Sequence, residues 1–311
     1  MAQSIFDEPQ FQTEAAAFAY VEAHLWPDGA YCPHCGECDR IKRMAGKTTR
    51  LGLHKCYACK GQFTVRQGSI FESSHLPLHL WLQVIHLFCA SKKGISTRQI
   101  QRMLRCSMKT AWFLGHRIRE AMREGDLAPF GGGGGVVEAD ETFYGRDPDG
   151  GDIRAGFGHK MKVLSLVDRN SGRARSFVID RVSQSEVAPI LDANISREAV
   201  LMTDESHIYR EFGWNFSDHR SVNHGRGEYV SRQDKTITTN TVEGFFSVFK
   251  RGMIGVYQHC DKSHLHRYAA EFDFRYSYRI ELGVDDVARA SKLLVAAKGK
   301  RLTYETASRQ G

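Results

Sequence analysis

Two short knuckles, Cys32-Pro33-His34-Cys35 and Cys56-Tyr57-Ala58-Cys59, stand twenty residues apart in a chain of 311. Each knuckle brings two sulfurs toward one point, and two of them close a tetrahedron of thiolates around zinc. A glycine trails each (Gly36, Gly61), and the span between alternates charged and apolar residues as short hairpin strands do. Phe63, Val65, Ile70 and Phe71 continue as apolar backing. The pattern predicts a zinc ribbon over residues 26–72, in which the metal replaces a hydrophobic core and contributes on the order of 10 kcal/mol of folding free energy. Four sulfurs leave no open position for water, so this zinc is structural. Cys38, Cys89, Cys106 and Cys260 lack a matching knuckle and read as core or surface thiols.

The rest of the chain has room for further domains. Lys and Arg exceed Asp and Glu by seven, which favours a polyanionic partner, nucleic acid before membrane. No apolar run approaches the roughly 18 residues of a membrane helix, and the first thirty residues carry acids where a signal peptide needs a basic start. A soluble, cytoplasmic protein is expected.

An N-terminal helical segment over 1–25 precedes the ribbon, and a helical region over 75–127 follows it. Leu78 to Ala90 is apolar around most of its circumference and predicts a buried helix. Ser96 begins a capping-box pattern for a helix with Ile100, Met103 and Leu104 inward. Ser107 can cap a second helix with Ala111, Leu114, Ile118 and Met122 at helical spacing. Two short helices joined around residues 105–107 resemble a helix-turn-helix, and Lys109, Arg117, Arg119 and Arg123 on the second are its candidate DNA contacts. The alternative is an ordinary helical hairpin with solvated arginines. Gly131 to Gly135 then interrupts the chain, and 128–135 reads as a linker.

Beyond it, Val136 to Thr142 alternates as a strand does, Met161 to Val167 and Arg173 to Val182 read as a hairpin, and Gln184 to Asn194 as a helix. Ala199 to Asp204 is another short strand ending on an aspartate, as the first nearly does at Asp140. This order predicts an α/β domain on a mixed sheet over 136–282, followed by a helical tail over 283–311. In Asn240 to Lys250, helical geometry puts Asn240, Glu243, Ser247 and Lys250 on one side and Val242, Phe245, Phe246 and Phe249 on the other. Asp140, Asp204 and Glu243, from three separate elements, can then meet. Three such carboxylates suit two divalent metals that drive in-line attack on a phosphodiester, with Lys250 on a phosphate. No Walker loop, G-x-S-x-G elbow or H-E-x-x-H spacing supports a nucleotidase, a serine hydrolase or a catalytic zinc at His207, His219 or His224.

The chain resembles the insertion-sequence transposases of the IS1595 type, ISXO2-like, which carry an N-terminal zinc ribbon ahead of an RNase H-like catalytic domain. The resemblance rests on the Cys32 and Cys56 knuckles, Gly94-Ile95-Ser96, Thr110-Ala111-Trp112, His116-Arg117-Ile118-Arg119, Val137 to Thr142, Thr203-Asp204, Val222-Asn223-His224, Asn240 to Gly255, His264-Leu265 and Glu271 to Tyr276. It implies a multidomain α/β protein with a helix-turn-helix-like region and a mixed-sheet catalytic domain. It makes Asp140 and Asp204 the first two metal ligands, and either Asn240 or Glu243 the third, followed by Lys250. Glu243 is preferred because a charged oxygen neutralises metal better than an amide. Glu138 and Glu141 are set aside because strand alternation is read as turning them to the opposite sheet face. Thr238 and Ser277 depart from the family's usual histidine and asparagine.

The resemblance further implies two Mg2+ or Mn2+ ions in the catalytic site, one structural Zn2+, and DNA as partner, both the element's terminal inverted repeats and the target. A homodimer in the synaptic complex is expected, and no membrane. Two rivals stay open: a metal-dependent nuclease that hydrolyses without joining strands, and a non-enzymatic zinc-ribbon DNA-binding regulator.

Overall fold

The computed structural model describes residues 3–125, 128–150 and 156–303. The ends of the segments expected over 1–25, 75–127 and 283–311 therefore include residues outside those described. By contact the chain divides into two compact units, one made of residues 1–91, 95–122 and 285–311, the other of 92–94 and 123–284.

The first unit begins with helices α1 (Pro9–Gln12) and α2 (Glu14–Leu25), the second capped by the Thr13 hydroxyl, which accepts from the Ala16 N–H. Strands β1 (Ile41–Arg43), β2 (His54–Cys56) and β3 (Gln62–Phe63) form a small antiparallel sheet in that order. Phe63 in β3 and Val65, Ile70 and Phe71 after it are all buried, as expected of apolar backing. Helix α3 (Leu78–Ala90) buries Trp81, Leu82, Val84, Ile85 and Phe88 and packs against α2 and the C-terminal helix Asp286–Ala296.

Helices α4 (Thr97–Leu104) and α5 (Met108–Met122) follow. Ser96 accepts from the Gln99 N–H at 3.2 Å and Ser107 from the Thr110 N–H at 3.1 Å, so both serines cap as their positions predicted. Arg105, left-handed at φ 51°, ends α4 and makes the sharp turn between the helices. Ile100 is buried, but Met103, expected inward, is 52% exposed: the short α4 has room for only one fully buried contact.

The second unit is built on a five-stranded sheet. Strands β4 (Val136–Tyr144), β5 (Met161–Asp168) and β6 (Ala174–Ile179) run as an antiparallel meander, with Asp140 opposite Ser165. Helix α6 (Gln184–Asn194) crosses back to β7 (Val200–Thr203), which lies parallel to β4, and β8 (Asp218–Ser221) lies parallel to β7. The spatial order is β6-β5-β4-β7-β8. A three-strand meander whose first strand then pairs in parallel with the fourth is the RNase H-like arrangement anticipated above.

Alternation along β4 and β5 divides the core. Val137, Ala139, Leu164 and Leu166 face α6 and α7 (His207–Arg210), where Val187, Leu191, Ile208 and Tyr209 meet them. Tyr144, Val163 and Val167 face helices α8 (Asn240–Gly252) and α9 (Lys262–Ser277), packing on Val242, Phe245, Phe249, Leu265 and Phe272. The glycine run ahead of β4 acts as a turn. Gly131 has φ +74°, and a Cβ there would lie 2.4 Å from the Ala199 Cβ, so only glycine lets the chain pass β7 this closely. Ser277 and Thr238, the two departures from the family pattern, are both engaged: the Ala174 N–H donates to the Ser277 hydroxyl at 3.1 Å, and the Thr238 hydroxyl donates to the Tyr229 carbonyl at 3.1 Å.

Candidate active site

Asp140 lies on β4 and Asp204 follows β7 directly. Residues 136, 137 and 138 pair with 200, 201 and 202, so the same offset carried forward sets Asp140 beside Asp204 at the neighbouring strand end. Adjacent strands run about 4.8 Å apart, which places the two residues near one level on neighbouring chains. Glu243 enters from above, in the first turn of α8, whose apolar face seats on the same side of the sheet.

Burial pushes the Asp140 carboxyl up to about 8, with further upward pressure from the charges of Glu141, Asp204 and Glu243, against a backbone N–H of Glu141 that lowers it. Asp204 is raised too, mainly by burial and then by Glu205, while the Ser206 N–H, 3.0 Å from Oδ1, and His224 pull it down. The carboxylates from β4, β7 and α8 therefore share one electrostatic environment. Glu243 keeps 36% of its side chain exposed, so the cluster opens to solvent. Its Oε1 accepts from the buried Thr239 hydroxyl at 2.9 Å and lies 3.5 Å from His224 Nε2.

Asn240 is exposed at the first position of α8, with its backbone N–H held by the Thr238 hydroxyl. The α8 charge felt at Asp140 is that of Glu243. Lys250 is exposed two turns along the same helix.

The reading of Glu138 needs correcting. Residues two apart on a strand share a face, so Glu138 points with Asp140 toward α8, and only Glu141 turns away. Glu138 is fully buried and is consumed in holding the site together. It accepts from the Val242 N–H at 2.8 Å and the Thr241 hydroxyl at 2.7 Å, in the first turn of α8, and from Arg169 Nε at 2.5 Å. A carboxylate at a helix N-terminus satisfies an orphan N–H and complements the helix dipole. Arg169 in turn donates to the Thr236 and Thr238 carbonyls at 2.7 and 2.8 Å. Strand β4, helix α8 and the segment preceding α8 are thus tied at one point, two residues from Asp140. On the other face Glu141 accepts from the Tyr209 hydroxyl, and burial raises it to about 7.

His224, set aside above as a zinc ligand, was not expected beside Glu243, although Val222-Asn223-His224 carries part of the resemblance. Glu205 places it, accepting from the His224 and Gly225 N–H groups at 2.8 and 2.9 Å. His219 instead lies 2.9 Å from the Thr203 hydroxyl.

The thiolate site is of another kind. Cys32 and Cys59 sulfurs are 3.6 Å apart, those of Cys35 and Cys56 3.7 Å, and all four lie within 4.8 Å of one another. Zinc–sulfur bonds of about 2.3 Å at tetrahedral angles separate sulfurs by about 3.8 Å, so the quartet fits the ion. The Cys59 N–H, with that of Ala58, draws the Cys56 thiol down to about 7. Cys35 moves the other way: the N–H at Glu37 lowers it, but desolvation and the three neighbouring sulfurs carry it up to about 12.

The basic residues of α5 also need correcting. Lys109 and Arg123 are exposed, but Arg117 and Arg119 are buried. Arg117 donates to the Ile70 and Leu302 carbonyls at 2.9 and 3.2 Å, and Arg119 lies over the Phe88 ring at 5.3 Å. Helix α5 is enclosed on most of its circumference, so its middle arginines fasten it within its own unit instead of facing a ligand. Arg98, Arg102 and Arg105 are exposed on and beside α4, a set that helical spacing on α5 alone did not suggest.

A family model described as ISXO2-like transposase domain matches residues 133–277, and one described as transposase zinc-ribbon domain matches residues 12–62. A relative in Halobacterium salinarum, an uncharacterized protein in transposable element ISH50, is 25% identical over 280 residues, spanning 85% of this chain and 91% of its own. The HTLV-2 integrase catalytic core domain, solved with magnesium, is 12% identical, with a TM-score of 0.28 over 47% of this chain and 86% of its own. A chain of the simian T-cell lymphotropic virus intasome, solved with the PP2A regulatory subunit B56 gamma, is 11% identical, with a TM-score of 0.30 over 62% of this chain and 65% of its own. Superpositions of that extent leave the fold to be argued from the sheet itself. Ribbon, mixed sheet and both matched models define a zinc-ribbon transposase. The chain belongs to the IS1595-type, ISXO2-like family.

Among the described residues, no helix is long and apolar enough to cross a membrane.

Proposed function

We propose that this transposase cuts DNA at the ends of its element and joins the freed 3′ hydroxyls to target DNA, with Asp140, Asp204 and Glu243 holding Mg2+ or Mn2+. The observation that supports this reading is the strand register that sets Asp140 on β4 beside Asp204 at the end of β7, with Asp140 buried and acted on by the charges of both Asp204 and Glu243. Asp140 and Asp204, both raised by burial, are hard oxygen donors whose crowded charge a divalent cation relieves. Bound there as a pair, such ions supply charge stabilisation for in-line phosphoryl transfer.

The chain's own residues do the rest. Glu138 and Arg169 fix α8 against β4, which sets the position of Glu243 relative to Asp140. The Thr239 hydroxyl donates to the Glu243 carboxylate, and His224 lies beside it. Lys250, exposed on the Glu243 face of α8, takes a DNA phosphate, while Asn240 stays outside the ligand set. In the other unit, Lys109 with Arg98, Arg102 and Arg105 offers phosphate contacts. Handling two ends together calls for a homodimer.

Asp204→Asn tests the reading. It should lower cleavage of duplexes bearing the element's ends by on the order of 10³-fold, several kcal/mol of lost charge stabilisation, while binding holds. Unchanged cleavage would overturn the assignment. Supplying pre-cut ends and scoring joined product separates a transposase from a nuclease that only hydrolyses.

A further inference from the structure

Between β8 and α8 the chain leaves the sheet, passes His224, and folds residues 230–238 into a small hairpin. Val230 bridges Thr238, and the Ser231 N–H donates to the Ile237 carbonyl at 3.0 Å. Arg169 clamps the return arm through the Thr236 and Thr238 carbonyls. The hairpin is therefore fastened to the same Glu138–Arg169 pair that fixes α8, a half-buried ion pair that ties it to the strand carrying Asp140.

At its base stands Tyr229, 58% exposed. With most of its surface in solvent, this aromatic side chain is not accounted for by burial alone. Its ring centroid lies 5.0 Å from that of His224, edge to face, and His224 Nε2 is 3.5 Å from Glu243. The aromatic surface thus begins one side chain away from a proposed metal ligand. Arg226, Arg232 and Lys235 are exposed on the same segment. Its two acids are engaged nearby: Glu228 accepts from the Arg232 N–H at 2.8 Å, and Asp234 from Thr236 and Arg220. An exposed ring flanked by cations, beside carboxylates that act on a phosphodiester, matches the chemistry of an unpaired nucleobase whose backbone runs over the cations.

We infer that Tyr229 is a positioning residue that stacks an unpaired base of the substrate DNA next to the phosphate being cut, with Arg226, Arg232 and Lys235 gripping the adjoining strand. The inference rests on the reading of Asp140, Asp204 and Glu243 as the cutting site. A base drawn out of the duplex onto this ring leaves its phosphate exposed to the carboxylates. The site then favours DNA that is frayed or already nicked at the cut.

The test uses the full chain with Ca2+ in place of Mg2+, and two duplexes of the element's end, one fully paired and one forked with 2-aminopurine in the unpaired arm. The wild type should bind the forked duplex more tightly and quench its fluorescence. Tyr229→Ala should weaken forked binding by roughly 5- to 100-fold, the value of one base stack, and abolish the quench while leaving the paired duplex unchanged. Tyr229→Phe should retain both. Forked binding by Tyr229→Ala at the wild-type level, or equal loss on both duplexes, would overturn the inference. Mg2+ cleavage by the wild type is read in parallel: if it fails, the cutting site is wrong, whereas cleavage without fork dependence removes Tyr229 alone.

Discussion

The cysteine quartet and the carboxylates proposed to hold divalent metal are built in opposite ways. The four sulfurs come from two local knuckles, and their donor atoms lie within 4.8 Å of one another. Asp140, Asp204 and Glu243 come from two strand positions and a helix spread over a hundred residues. Parallel pairing of β4 and β7 sets Asp140 beside Asp204, and Glu138 ties α8, which carries Glu243, to β4. The first site makes its own fold around the ion. The second borrows its geometry from a sheet with an apolar core on each face, and keeps a solvent-open side on Glu243. Closure suits structure and openness suits chemistry.

The largest expected effect falls on the ribbon. Chelating zinc, or Cys56→Ser, should remove on the order of 10 kcal/mol of local folding free energy. Hydrogen exchange should then show residues 26–72 losing protection while 136–179 keep theirs, and retained protection in the ribbon would erase the contrast. Next comes the pin. Glu138→Ala leaves Arg169 facing an empty buried position and frees the Val242 N–H, which should cost about 3–5 kcal/mol in denaturant unfolding of the second unit. A loss below about 1 kcal/mol would mean that α8 is held by its phenylalanines alone.

A smaller effect sharpens the comparison through pH. Asp140 at about 8 and Glu141 at about 7 lie above their ordinary values of 3.8 and 4.5. The metal-free folded state therefore holds more protons than the unfolded chain across that window, and its stability should fall as pH rises from about 4 to about 8. Saturating Mg2+ should flatten the slope in a melting series. A flat profile for the zinc-loaded chain without added Mg2+ would show that burial does not strain these acids.

Much of this was legible in the sequence where the signal is local. The knuckles, the caps at Ser96 and Ser107, and the spans Leu78–Ala90, Gln184–Asn194 and the Asn240 helix follow from spacing. Strand β8, Asp-His-Arg-Ser, gave no apolar alternation because it lies at the sheet edge and none of its side chains is buried. Arg117 and Arg119 look like solvent residues until α5 is seen to be enclosed, and Glu138 looks redundant beside Asp140 until its partners from Arg169 and α8 are known. His224 and Tyr229 depend on a segment with no periodicity, positioned by contacts to Glu205 and Arg169 that sequence spacing cannot reveal.

The central claim is that Asp140, Asp204 and Glu243 jointly hold divalent metal, and Mn2+ binding followed by electron paramagnetic resonance on the zinc-loaded chain tests it most directly. The wild type should bind Mn2+, and Asp140→Asn, Asp204→Asn and Glu243→Gln should each weaken binding at least about tenfold, while Asn240→Ala leaves it unchanged. Wild-type affinity in any of the three acid variants, or loss in Asn240→Ala alone, would contradict it.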